Sequence, residues 1–99
     1  MITNLCITGA IGERLKENDI YRYILVDRQV PANKSFVVDK IPVCHWSKST
    51  NNKFLKLSHG ALITLTGRIE NEEGIGLVVV LENYMILAKN DKLTLKNGE

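Results

Sequence analysis

The sequence predicts an all-β domain: a small closed barrel of five strands with one short helix. Three stretches carry that expectation. Leu57 to Ile69 ends an apolar-periodic segment at Gly60 and then alternates strictly, with Ala61, Ile63, Leu65, Gly67 and Ile69 on one side. Alternation of that kind is a strand with one face committed to a core. Ile20 to Val30 is rich in β-branched and aromatic residues, which suit a pleated surface. Leu77 to Leu87 begins with four consecutive apolar residues through Val80.

Taken in order, residues from Ile2 to Gly12 alternate loosely and are interrupted at Gly9, so the first strand is expected to bend there. Glu13 to Asp19 is charged and reads as a connection. The second strand, Ile20 to Val30, is ambiguous in phase. Tyr21, Tyr23 and Leu25 share one side, and Arg22, Ile24, Val26 and Arg28 the other. The arginine side is assigned to solvent, because unpaired buried guanidinium groups cost several kcal/mol each. Pro31-Ala32-Asn33-Lys34 makes a turn. The third strand runs from Phe36 to Trp46, and Pro42 places it at an edge or breaks it.

Ser47 to Asn52 is polar and full of residue types that cap helices. A short helix is expected over roughly Asn51 to His59, with Phe54 and Leu57 turned inward to plug one end of the barrel. Gly60 stops it in the left-handed conformation. The long strand that follows carries Gly67, a bend or bulge position at a barrel corner. An acidic hairpin, Glu70 to Gly76, leads into the last strand. Ala88 to Glu99 is polar, so the domain is assigned to residues 1–88 and a short tail to 89–99. Five strands with a helix between the third and fourth is the order of the OB-fold, a Greek-key barrel that binds oligonucleotides.

Ninety-nine residues make one domain with a single core. No run of about 18 apolar residues suggests a membrane span, and no basic-then-apolar leader is visible. Cys6 and Cys44 are expected to be buried, reduced thiols rather than a disulfide, which points to a cytoplasmic protein. The net charge of +2 conceals an asymmetry. Residues 20–59 hold seven Lys or Arg against two Asp, whereas the remainder holds six against nine acids. A basic middle between acidic flanks fits a polyanionic partner. It also fits an unevenly solvated surface, and charge alone does not separate the two.

Single-strand binding needs cations along phosphates and aromatic faces for bases. Trp46, the lone tryptophan, is the first choice for stacking, against packing on the helix. Phe36 shares its strand parity and either stacks or caps the core. Phe54 is assigned to the core, Tyr21 and Tyr23 to packing with one of them open to reaching a base, and Tyr84 to packing or a subunit contact. Among cations, Arg22, Arg28 and Lys40 fall on the second and third strands, while Lys34 and Lys48 would extend the groove at either end. Lys53 and Lys56 read as an ordinary solvated face. Catalysis has little support, and no cofactor or metal is expected. Cys44 and His45 are strand neighbours and point apart. The two cysteines and two histidines lack zinc-site spacing, and no phosphate-binding glycine loop occurs.

The chain resembles the bacterial single-stranded-DNA-binding proteins. Gly9-Ala10-Ile11-Gly12 is similar to that family's Gly-x-Ile/Leu-Gly at the end of its first strand. Leu57 to Ile69 is similar to its Leu-x-Lys-Gly-x-x-Val-x-Val-x-Gly-x-Leu segment, with His59 in place of Lys. Leu77 to Leu87 looks like its closing strand, with Leu77 replacing an acid. The resemblance covers most of residues 4–87. It implies an OB-fold, sequence-tolerant binding of single-stranded DNA in replication, recombination or repair, and a homo-oligomer, with a tetramer favoured over a dimer. By position Trp46 keeps one of the family's stacking sites, and Lys40 stands where another is a tryptophan. The shortened hairpin, with Glu70, Glu72 and Glu73, has no counterpart of the family's aromatic there. The sequence ends Lys96-Asn97-Gly98-Glu99 without the family's acidic tail, as expected of a short form. Two other readings remain open: a primosome-type dimer acting in replication restart through protein contacts, and a structural subunit that binds no nucleic acid. RNA is also open, since stacking and phosphate contacts do not read the 2′-hydroxyl.

Overall fold

A computed structural model describes residues 4–30, 32 and 35–89. Its elements are β1 (Leu5–Arg14), β2 (Arg22–Val30), β3 (Ser35–His45), a single 3-10 turn (Phe54–Lys56), β4 (Leu62–Glu72) and β5 (Gly76–Ala88). They close into a barrel in the order β1-β2-β3-β5-β4. All neighbours are antiparallel except β3 and β5, which pair in parallel over Val43↔Val79, Cys44↔Val80 and His45↔Leu81. This is the five-stranded OB-fold expected above. The tail from residue 90 onward lies outside the described residues.

β1 serves two neighbours. Leu5 to Ala10 pair with β4, and Ala10 to Arg14 pair with β2. Gly9 sits where the partner changes. A Cβ there would stand 2.5 Å from the Leu25 carbonyl oxygen and 2.8 Å from Ile24 Cγ2, so only glycine lets β2 pass this close. A second close passage occurs at Gly67, where a Cβ would run into the Val80 carbonyl. The ladder steps there from Thr66↔Asn83 to Gly67↔Leu81. Glu82 is therefore the extra residue, and the bulge lies on β5 opposite the glycine. Pro42 lies in a stretch of β3 that pairs only with β2, since β5 joins from Val43 onward. The proline is thus on a sheet edge.

The expected helix is only the 3-10 turn. Asn52 Oδ1 accepts a hydrogen bond from the Leu55 amide at 3.0 Å, and by Leu57 the backbone is already extended. Two buried side chains, Phe54 and Leu55, suffice to plug the barrel end. The chain must then reach Gly60, which adopts φ 89° and whose amide donates to the Ile11 carbonyl at 2.8 Å.

The barrel interior packs Ile11, Ile24, Val43, Phe54, Ile63, Leu65, Val79 and Leu81. The alternation of β4 holds inward for Ala61, Ile63, Leu65 and Gly67, whereas Ile69 is exposed. A second cluster lies outside the barrel wall, formed by Leu15, Tyr21, Cys44, Val78 and Val80. β5 is therefore buried on both faces from Val78 to Leu81, which accounts for its unbroken apolar run. Of the cysteines, Cys44 is buried but Cys6 is exposed, and both are free thiols.

The phase assigned to β2 is reversed in the structure. Arg22 and Ile24 point into the barrel, and Arg22 is only 6% exposed. The cost that favours solvent applies to an unpaired guanidinium. Each guanidinium nitrogen of Arg22 has a partner instead. Its Nε and Nη2 donate to the Gly12 carbonyl at 3.0 and 2.7 Å, and its Nη1 donates to the carbonyls of Leu55, at 3.1 Å, and Leu57. It ties β1 to the 3-10 turn.

Candidate nucleic-acid interface

The β2–β3 ladder runs from Arg22↔Val43 to Val30↔Ser35. Directly opposed residues share a face. The outer face therefore carries Tyr23 with Pro42, Leu25 with Lys40, Asp27 with Val38, and Gln29 with Phe36. Phe36 is 71% exposed and Val38 is 52% exposed. Two apolar side chains and a lysine thus stand on one strand at alternate positions, facing water. Arg28 belongs to the other parity, opposite Val37, and its Nε lies 2.9 Å from Asp39 Oδ2. The structure therefore separates Arg28 from Phe36 and Lys40. Arg22 is withdrawn into the core, and Lys34 lies outside the described residues.

Trp46 follows β3, where its amide donates to the Leu81 carbonyl at 3.0 Å. Its side chain is 60% exposed, with the ring centroid 5.7 Å from that of His45. It does not form one continuous surface with Lys40. Cys44 lies between them on the same parity, and there the outer face is covered by Leu15 and Tyr21. The aromatic and cationic residues expected in one trough therefore occupy two patches, divided by the β1–β2 loop (residues 15–21).

The patch around Trp46 holds its cations in ion pairs. Lys48, at φ 53°, places Nζ 3.6 Å from Glu70 and 3.9 Å from Glu72. Arg68 contacts Glu70 at 2.9 Å and Glu82 at 3.0 Å. Two cations thus face three carboxylates along this rim. Beneath it, the Tyr21 hydroxyl donates to Glu72 Oε1 at 2.7 Å. Burial, helped by that carboxylate, raises Tyr21 far above its ordinary range, so it stays a neutral donor. Burial likewise raises the Cys44 thiol, which keeps it protonated and a poor nucleophile. His45 Nδ1 is engaged 3.0 Å from Ser47 Oγ. Among the described residues no three His, Cys, Asp or Glu side chains cluster to hold a metal.

From the sequence, one of Tyr21 and Tyr23 could reach a base; Tyr21 is buried, which leaves Tyr23. It is half-buried on the outer face, and Lys40 Nζ stands 5.7 Å from its ring centroid. Its parity with Leu25 was legible, but the phase assigned to β2 turned that side inward.

No family model matches the sequence, and no curated protein does. Similar solved structures do exist. The mitochondrial single-stranded DNA binding protein Rim1 of S. cerevisiae superposes with a TM-score of 0.61 at 18% identity, over 93% of this chain and 100% of that one. A second crystal form of Rim1 gives 0.60 at 18% identity, over 91% and 99%. The OBody NL8, solved bound to hen egg-white lysozyme, gives 0.53 at 17% identity, over 88% and 96%. At these identities the likeness concerns the fold, which serves a single-stranded DNA binding protein in Rim1 and a lysozyme binder in the OBody. The ligand of this chain must be argued from its own surface.

Proposed function

We propose that the protein binds single-stranded DNA without strong sequence preference, as a short-form relative of the bacterial single-stranded-DNA-binding proteins. The observation that carries this reading is the outer face of β3, where Phe36, Val38 and Lys40 project together into solvent on a barrel shared with Rim1. Isolated surface apolar residues are ordinary, but an exposed aromatic with an apolar neighbour and a cation on one strand suits stacked bases and a passing phosphate. Trp46 supplies a second stacking surface beyond the β1–β2 loop. Lys48 would join it only after leaving Glu70 and Glu72. Any base can stack, which makes the binding sequence-tolerant, and phosphate contacts make it weaken with salt.

The biological setting we infer is the coating of exposed strands in replication, recombination or repair in the cytoplasm. We also infer a homo-oligomer, with a tetramer favoured. The outer surface of β1, β4 and β5 supports assembly. It exposes Leu62, Met85 and Leu87 and contains a groove of about 310 Å³ lined in part by Thr64, Asn83 and Met85. The second reading is a dimeric primosome-type protein acting through protein contacts. It is favoured by the ion pairs of Glu70 and Glu72, which hold one rim away from phosphate.

The deciding experiment is a titration with oligo-dT at low salt, followed by Trp46 fluorescence and by anisotropy of a labelled strand. Saturable binding with quenching, weakening as salt rises, is expected. Absence of both signals would refute the proposal. Competition with a matched RNA separates the two nucleic acids, and solution mass separates dimer from tetramer.

A further inference from the structure

The 3-10 turn plugs only one end of the barrel. At the other end, side chains from four strands enclose an apolar cavity of about 300 Å³, lined by Leu5, Ile7, Ile41, Ile69, Leu77 and Val79. Leu77 is 69% exposed and Ile69 is 45% exposed, so among the described residues this mouth is open to solvent. The backbone beside it is also open. β1 accompanies β4 only as far as Leu5↔Gly67, whereas β5 stays with β4 to Glu72↔Gly76. From Arg68 to Asn71, β4 therefore has a strand on one side only among the described residues. Edges of this kind take up extended segments.

The tail contains a segment of matching pattern. Lys92-Leu93-Thr94-Leu95-Lys96 alternates strictly, so as a strand it turns both leucines to one side and both lysines to the other. We propose that the mouth of each barrel receives this tail strand from a second copy of the chain. Leu93 and Leu95 enter the apolar cavity, and Lys92 and Lys96 lie on the acidic outer side. The contact is separate from the face of β1, β4 and β5 described above, and it does not depend on DNA binding.

Three observations select this occupant. The first is parity. A residue added beside β4 shares the face of the residue it opposes. Leucines opposite Ile69 and Asn71 thus point into the mouth, and the lysines fall on the face that carries Glu70 and Glu72. The second is charge. Glu70, Glu72 and Glu82 meet only Lys48 and Arg68, and the exposed Glu73 follows in the turn. Two further lysines balance that surplus of carboxylates. The third is reach. β5 ends at Ala88, opposite Leu62 near the plugged end. A strand takes roughly 23 Å from Leu62 to Ile69, whereas the stretch from Ala88 to Leu93 spans at most about 18 Å. A chain cannot fill its own mouth, so the tail comes from another copy. Tail and mouth lie at opposite ends of β5, and two antiparallel copies exchange tails reciprocally, as a two-fold dimer requires.

The test uses the full chain without nucleic acid. Isotopically light and heavy chains are mixed, equilibrated and treated with a carbodiimide, which joins lysines to carboxylates in contact. Mass spectrometry of the crosslinked peptides should show Lys92 or Lys96 of one isotope bonded to Glu70, Glu72 or Glu73 of the other. The paired change Leu93→Ser, Leu95→Ser should abolish these bonds and weaken self-association, measured by sedimentation, at least about tenfold. Leu77→Ser, at an exposed position, should reduce the same bonds from the other side of the contact. If the bonds disappear in the leucine variant but self-association persists, the tail still occupies the mouth, on an oligomer held mainly by the face of β1, β4 and β5. The inference is overturned if the chain is monomeric, if no bond crosses isotopes, or if the bonds persist unchanged in the leucine variant. Without bonds across isotopes, the mouth belongs to residues 1–3 of the same chain or to a foreign peptide. Failure to bind oligo-dT would count against the single-strand reading alone.

Discussion

Replacing Arg22 by methionine separates a structural arginine from a strand-binding one. The substitution keeps most of the apolar stem and removes the guanidinium. The carbonyls of Gly12 and Leu57 lose their charged donor, while the Leu55 carbonyl retains Arg14. A hydrogen bond to a charged group contributes about 1.5–3 kcal/mol net. Two such losses at the low end come to about 3 kcal/mol, within the 3–5 kcal/mol typical of breaking a buried charged contact. A domain of this size shifts its midpoint by about 4–8 °C per kcal/mol, so Tm should fall by roughly 12–24 °C. Thermal melts followed by circular dichroism measure it, with Lys40→Met as an exposed comparison expected to stay within about 0.5 kcal/mol. A variant that melts within a few degrees of the parent but loses affinity for oligo-dT would refute the reasoning. It would return Arg22 to the binding surface where the sequence placed it.

Other perturbations probe the remaining features. Gly67→Ala forces a methyl group onto the Val80 carbonyl and should lower stability by more than about 2 kcal/mol, read as a lower urea midpoint. Tyr21 and Cys44 both have folded-state values raised above their ordinary 10.0 and 9.0. In the alkaline range the unfolded chain releases these protons first, so stability should be intact below about pH 9 and decline above it. Tyr21→Phe should flatten part of that decline in urea titrations across pH. The double change Glu70→Gln, Glu72→Gln frees Lys48. It should tighten oligo-dT binding at low salt and steepen the salt slope by up to about 0.7.

The element order and glycine positions could be read from local pattern. Gly9, Gly60 and Gly67 each fall where the backbone turns left-handed or passes close to a neighbouring strand, and β4 buries the parity that its alternation announces as far as Gly67. What stayed hidden depends on partners far apart in the chain. Arg22 looks like a surface residue until three carbonyls from two other segments converge on it. Cys44 and Lys40 share a parity, but nothing local shows that Leu15 and Tyr21 cover one and leave the other open. The exposure of Phe36 and Trp46 could be anticipated, whereas their division into two patches could not. The helix was overestimated because capping residue types mark where a turn begins, not how many turns follow.

The parallel pairing of β3 with β5 has a consequence for biosynthesis. Only three residue pairs, Val43 to His45 against Val79 to Leu81, join these strands, and they span more than a third of the polypeptide. Until β5 emerges from the ribosome, β3 and β4 lack the strand that lies between them, and the barrel stays open. Closure rests on a contact between distant segments, which folds slowly. The nascent chain therefore carries an open, sticky sheet through most of its translation, and its solubility in that interval depends on the charged loops that flank it.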